Sequence, residues 1–249
     1  MENEKKDQSF SSLAILLTVL IVIGTIYFVV NNQKNNEKEV NSFAGVTAPS
    51  ANAPTAAQPS TAPSADITKV NTVGEAFIGN LNAPVTIASW SDYQCPFCQR
   101  FSDDALASVV TDYVNTGKVK LIFKDFSFLG SDSDDAALVA RAVWEAAPAK
   151  FYEWHVAMFA KQDGENSGWG SKADILALTK TISGIDEAKV ESLLNTNSAK
   201  YQSAIEADKT EAGNFGISGT PGTIIGQQLI VGAQPYSAVK QLIDLELNK

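Results

Sequence analysis

The chain carries only two cysteines and one histidine in 249 residues. The cysteines stand three apart, as Cys95-Pro96-Phe97-Cys98. A disulfide between them would close a very small loop and remove little chain entropy, so it cannot staple distant parts of a fold. His155 is the sole histidine. Zinc takes four ligands, which argues against a closed structural zinc site in one chain. Basic residues are in deficit, 19 Lys and Arg against 28 Asp and Glu, for a formal charge of −9. That balance opposes a nucleic-acid role, which calls for a basic patch, and electrostatic adhesion to an anionic membrane. Internal repeats are also missing. What is present is a globular composition, 45% hydrophobic, enough to fill one large domain or two small ones.

The first third departs from that composition. Residues 1–12 form a short polar tail, and Leu13 to Val30 is an uncharged apolar run. At about 1.5 Å per residue it crosses most of a roughly 30 Å hydrocarbon core, and Tyr27 suits an interface position. A cleavable h-region is shorter and is followed closely by a small-x-small site. Here Asn31-Asn32-Gln33-Lys34 follows, and Ser42-Phe43-Ala44 lies well beyond. The run therefore reads as an uncleaved transmembrane signal-anchor at 13–30. Lys5 and Lys6 before it balance Lys34 and Lys38 after it, so charge does not orient it. A short tail inside with the large domain exported is the usual arrangement. Residues 31–66, rich in Ala, Pro, Ser and Thr, read as a disordered linker. A soluble head then spans 67–249.

Within the head, Val85 to Trp90 reads as a buried strand, Pro96 to about Val114 has helical spacing, and Lys118 to Phe126 reads as a second core strand. This is strand, Cys-x-x-Cys, helix, strand, and in a chain with no other cysteine it points to a thioredoxin-like redox motif. From about 131 to 215 the pattern is nearly all helical, fitting several helices of roughly 10–15 residues. Breaks fall at Pro148, Gly164 to Gly170 and Ser183-Gly184. Two short apolar runs flanking Gly226-Gln227-Gln228 read as a hairpin, and Pro235 to Leu247 as a last amphipathic helix.

Cys95 falls at the first turn of the helix, where unpaired N–H groups and the positive dipole end stabilise a thiolate. Thiolate is the attacking species in disulfide exchange. Cys98, one turn in, suits the resolving role, and Pro96 fits the first helical position, where its missing N–H costs nothing. Thr220-Pro221, between Gly219 and Gly222, permits a cis bond and a tight turn before a strand. Beside Cys95 it could offer backbone hydrogen bonds to an extended substrate and keep metal off the thiols. Asp132, Asp134 and Asp135 read as the charged first turn of a helix rather than a calcium site. His155, in an aromatic helical stretch, reads as a packing or surface residue.

Three segments together, Ser91 to Cys98, Lys150 to His155 and Gly216 to Pro221, resemble the DsbA-type thiol–disulfide oxidoreductases. The resemblance covers about Val73 to Leu247, and not the anchor or linker. It implies an α/β thioredoxin-like fold with an inserted all-helical domain, about 131–215, working outside the cytoplasm. By resemblance Cys95 is the attacking thiol, Cys98 the resolving thiol and Pro221 the cis-proline preceded by Thr220, with Pro96 and Phe97 supporting the site. No cofactor or metal is implied. The implied partners are unfolded or exported cysteine-containing proteins and a membrane redox protein that reoxidises the pair. The expected role is disulfide donor, with a reductase or isomerase of the same fold, or a binding module with a vestigial Cys-x-x-Cys, as alternatives. Two departures stand out. Strongly oxidising members have His where this chain has Phe97, so a less oxidising couple is expected. Many have a buried Glu where this chain has Ser89, which leaves Asp92 and Asp125 as candidate proton acceptors for Cys98.

Overall fold

The computed structural model describes residues 65–249. The expected tail (1–12), membrane span (13–30) and nearly all of the linker (31–66) lie outside the described residues. Among the described residues, no helix is long and apolar enough to cross a membrane. Ala65 and Asp66, assigned to the linker on composition, pack onto the head. Ala65 is buried, and Asp66 caps a 3-10 turn at Ile67–Lys69 by accepting from the Thr68 N–H.

Five strands form one sheet in the order β1-β3-β2-β4-β5: β1 (Ala76–Gly79), β2 (Val85–Ser91), β3 (Val119–Asp125), β4 (Gly222–Ile225) and β5 (Gln228–Val231). Only the β2–β3 pair is parallel. These two central strands are covered on both faces, which is why they read as near-continuous apolar runs. Alternation still sorts their side chains. Ile87, Leu121 and Phe123 face the larger core, and Ala88, Trp90 and Ile122 face a smaller one closed by Val70, Ala212 and Ile217. The two-residue turn Gly226-Gln227 joins β4 to β5, with Gly226 at φ 59°. Strand β1 escapes a reading of the sequence, because four residues at a sheet edge are too few to establish a period.

Six helices complete the head. Helix α1 runs from Pro96–Phe101 through a π turn (Ser102–Leu106), an α turn (Ala107–Val109) and a second π turn (Val110–Val114). Between β3 and β4 come α2 (Ser131–Ala146), α3 (Phe151–Lys161), α4 (Lys172–Thr181) and α5 (Glu187–Asn214), and α6 (Tyr236–Leu247) ends the chain. Asp132 and Asp134 lie in the first turn of α2. At 28 residues α5 is far longer than the helices expected there. No Pro or Gly interrupts it before its last turn, Asp186 caps its start, and Val190, Leu194, Tyr201, Ile205, Asp208 and Ala212 keep one buried face throughout.

A buried ion cluster joins this helical region to the sheet. Lys124 of β3 has no exposed side-chain surface and pairs with Glu75 (3.2 Å), Glu211 (3.0 Å) and Asp208. Arg141 of α2 pairs with Asp125 (2.6 Å), Glu75 (2.9 Å) and Asp208. Burial opposes both cations, but the surrounding carboxylates outweigh it and raise both pKa values. Burial, then repulsion from Asp125 and Glu75, pushes Asp208 up to about 7. Removing one partner from such a cluster strands the opposite charges in a poor dielectric. Lys124→Met is expected to cost about 3–5 kcal/mol, measured by denaturant unfolding. A loss within about 0.5 kcal/mol, the range of surface substitutions, would mean the cluster does not tie the helices to the sheet.

Candidate active site

The site lies at the carboxyl end of β2, where the chain turns through Asp92 to Gln94 into α1. Asp92 is buried and sets this turn. Its carboxylate accepts from the Gln94 N–H (2.8 Å), the Ser133 hydroxyl (2.6 Å) and the N–H groups of Phe128 (2.9 Å) and Leu129 (3.2 Å). One side chain therefore fastens the β2–α1 turn to the β3–α2 connection.

Cys95 is the N-cap of α1 and Pro96 its first residue. An N-cap side chain ordinarily accepts from the second and third helical N–H groups, here those of Phe97 and Cys98. In this dithiol form the Cys95 sulfur makes no cap hydrogen bond, but both N–H groups favour its thiolate. Hydrogen bonding with the Cys98 thiol is the largest effect on it, followed by burial, which opposes, then the Thr220 hydroxyl and the N–H groups of Cys98 and Phe97. Together they lower its pKa from 9.0 to about 6. Cys98, at 2% exposure, is pushed well above the ordinary thiol value by burial and by Cys95. Both are free thiols. The pair is asymmetric: one sulfur ionises readily and its neighbour holds its proton.

The Thr220–Pro221 peptide is cis, and the Cys95 thiol donates to the Thr220 carbonyl at 3.6 Å. The Thr220 hydroxyl is buried with no hydrogen-bond partner in this dithiol form, so a thiolate beside it supplies the acceptor it lacks. Pro96 and Phe97 are exposed and Pro221 is buried. The Arg100 guanidinium lies 5.1 Å from the centroid of the Phe97 ring. The structure thus brings Cys95, Cys98, Pro96, Phe97, Thr220 and Pro221 to one place.

Neither acid considered for Cys98 is a free base. Asp92 holds four donors, and Asp125 accepts from Arg141. Ser89 spends its hydroxyl on Thr223 across the β2–β4 pair (2.9 Å). His155 is buried among Tyr93, Phe123, Tyr152 and Phe159, and burial lowers its pKa to about 3, so it packs as a neutral ring. Its Nδ1 meets the Tyr93 hydroxyl at 2.9 Å. Two residues that no sequence pattern marks also join α3 to this region. Gln162, at the end of α3, donates to the carbonyls of Tyr93 (2.6 Å) and Cys95 (3.1 Å), and Gln99 donates to the Phe159 carbonyl (2.7 Å).

A low-pKa cysteine at a helix start, a shielded second thiol one turn on and a Thr-Pro loop against them, at the end of this sheet, define a thiol–disulfide oxidoreductase. The family model described as Thioredoxin matches residues 71–245, and the chain belongs to the thioredoxin family as a DsbA-type thiol–disulfide oxidoreductase. It is 28% identical to disulfide bond formation protein D of Bacillus subtilis (strain 168), over 70% of this chain and 78% of that protein. With the probable disulfide bond formation protein D of Bacillus anthracis it shares 25% over 94% of this chain and 93% of that one, an alignment longer than the described head. The oxidised crystal structure of BdbD from Bacillus subtilis superposes with a TM-score of 0.68 at 27% identity, over 76% of this chain and 99% of that one. The thiol-disulfide exchange protein alpha-DsbA2 from Wolbachia pipientis gives 0.62 at 30% identity, over 70% and 87%.

The pH dependence follows from Cys95. Its pKa is lowered on folding, so thiolate stabilisation is complete above about 9, and is lost as pH falls through about 6. The oxidised protein has no thiolate. The reduced form is therefore expected to gain stability over the oxidised form as pH rises from about 6 to about 9. Thermal unfolding of both forms across that window checks this. A stability difference that does not change with pH would contradict it.

Proposed function

We propose that the Cys95-Pro96-Phe97-Cys98 pair is the redox centre and that the enzyme donates disulfides to exported proteins. A substrate thiolate attacks the Cys95–Cys98 disulfide at Cys95, forming a mixed disulfide and releasing Cys98. The substrate's second thiolate then attacks its own sulfur in that bond and expels Cys95 as thiolate. The substrate loses two electrons and the enzyme gains them, ending as the dithiol. A membrane redox protein that accepts those two electrons completes the cycle.

The observation that carries this reading is the placement of the two thiols: Cys95 at the N-cap of α1 against the Thr220 carbonyl, and Cys98 buried one turn on. A stabilised thiolate is a good leaving group, and stabilising the reduced form makes a couple more oxidising. The donor direction is supported without the histidine of the strongly oxidising members, since the helix N–H groups and the Cys98 and Thr220 donors do the stabilising. Phe97 and Pro96, exposed beside the sulfurs, offer an apolar contact to an unfolded chain, and the Thr220 carbonyl and Pro221 flank it. The head runs from Ala65, which packs onto it, to 249, with the helical insertion at about 131–215, on a linker at 31–64. The apolar run 13–30 anchors it in the cell membrane, single-pass, with the head outside the cytoplasm, where cysteine-containing exported proteins pass.

The test is equilibration of the full-length protein with glutathione buffers. A thiol of pKa about 6 falls between those of thioredoxin and DsbA, at about 7 and 3.5. The expected potential accordingly falls between about −270 and −120 mV. A value at or below the thioredoxin end would turn the enzyme into a reductase needing an electron supply. Cys98→Ser is expected to accumulate mixed disulfides with exported proteins at Cys95, and Cys95→Ser to lose activity altogether. A Cys98→Ser protein that collects no such adducts, scored on non-reducing gels, would overturn the mechanism.

A further inference from the structure

The contact between α3 and the redox turn is reciprocal and built of glutamines. Gln99, in the first turns of α1, reaches the Phe159 carbonyl at the end of α3, while Gln162 at that end reaches back to the carbonyls of Tyr93 and Cys95. The Cys95 carbonyl is thereby given three donors: the N–H groups of Cys98 (3.0 Å) and Gln99 (3.2 Å), and the Gln162 amide. The first two belong to any helix start. The third comes from a helix that lies elsewhere in the sequence and has no secondary-structure reason to be there.

A carbonyl oxygen carries partial negative charge and, in the N-cap residue itself, lies within a few bonds of the sulfur. A donor that withdraws this charge favours a nearby anion, and one that pins the carbonyl also fixes the N-cap backbone, here φ −81° and ψ 118°. That backbone decides whether the sulfur faces the Phe97 and Cys98 N–H groups. We propose that Gln162 is a positioning residue of the redox pair, holding the Cys95 carbonyl so that the sulfur faces the amide groups that stabilise its thiolate. The helical region thus sets the reactivity of a cysteine that belongs to the sheet unit. This rests on the reading of Cys95 as the reactive thiol.

The test uses full-length reduced protein and the rise of ultraviolet thiolate absorbance with pH. Gln162→Met keeps the length and loses the donor, and Gln162→Glu keeps the shape and presents only acceptors. The Met variant is expected to raise the Cys95 midpoint by about half a pH unit, the effect of one ordinary hydrogen bond, with Glu raising it further. The equilibrium constant for oxidising glutathione-buffer thiols should fall by about threefold in the Met variant. Gln99→Met loosens the same helix contact but keeps its own backbone N–H on the Cys95 carbonyl, so it should leave the midpoint in place. An unchanged midpoint in either Gln162 variant, or an equal shift in Gln99→Met, overturns the proposal. If the wild-type transition survives in Cys95→Ser, it does not report Cys95 and the underlying reading fails first.

Discussion

The buried pairing of Lys124 and Arg141 with Glu75, Asp125, Asp208 and Glu211 is the constraint on which the rest of the head depends. Its members come from the entry to β1, from β3, from α2 and from α5. Lys124 and Asp125 lie opposite Trp90 and Ser91 of β2, the last residues before the turn into α1, and the Phe126 N–H donates to the Ser91 carbonyl. The cluster therefore fixes the carboxyl ends of the two parallel strands as well as the helices over them. Two cations meet four carboxylates largely out of water, an arrangement that removal of either cation would leave with uncompensated charge. Asp125 takes part twice, through its carboxylate to Arg141 and its N–H to Asp208.

From that fixed end the turn follows by hydrogen bonding. Asp92 gathers four donors from two loops and the first turn of α2, so the approach to Cys95 is held before the helix begins. Cys95 then falls at the N-cap position, and the helix-start N–H groups of Phe97 and Cys98 are among the donors that favour its thiolate. Cys98, one turn deeper, is surrounded by the core and meets the opposite fate. The contrast between the two thiols arises from position along a single helical turn. It survives the two departures from the strongly oxidising relatives: Phe97 contributes exposed apolar surface, and Ser89 contributes a cross-strand hydroxyl pair with Thr223.

The helical region is part of the site rather than an addition to it. Helix α3 supplies Gln162 to the turn and His155 to Tyr93, whose phenol is kept protonated chiefly by burial. The loop beyond α3 also donates through the Asn166 N–H to the buried Gln94 side chain, two residues before its end of the turn gives way to α1.

Much of this was determined by the sequence alone. The spacing of Cys95 and Cys98, the apolar run before them and the helical period after them define strand, cap and helix, because each depends on neighbours within a few residues. The same holds for the hairpin, whose turn needs Gly226 at positive φ, and for the helix breaks at Pro148 and around Gly164 to Gly170. The tertiary structure alone decided what meets across long separations. No local pattern distinguishes Glu75, Lys124, Arg141 and Asp208 from solvated charges, since their pairing depends on four elements converging in a poor dielectric. Nor does anything in the sequence mark Gln162, 67 residues from Cys95 along the chain, because an amide that serves a distant carbonyl has no period, no motif and no neighbour to reveal it.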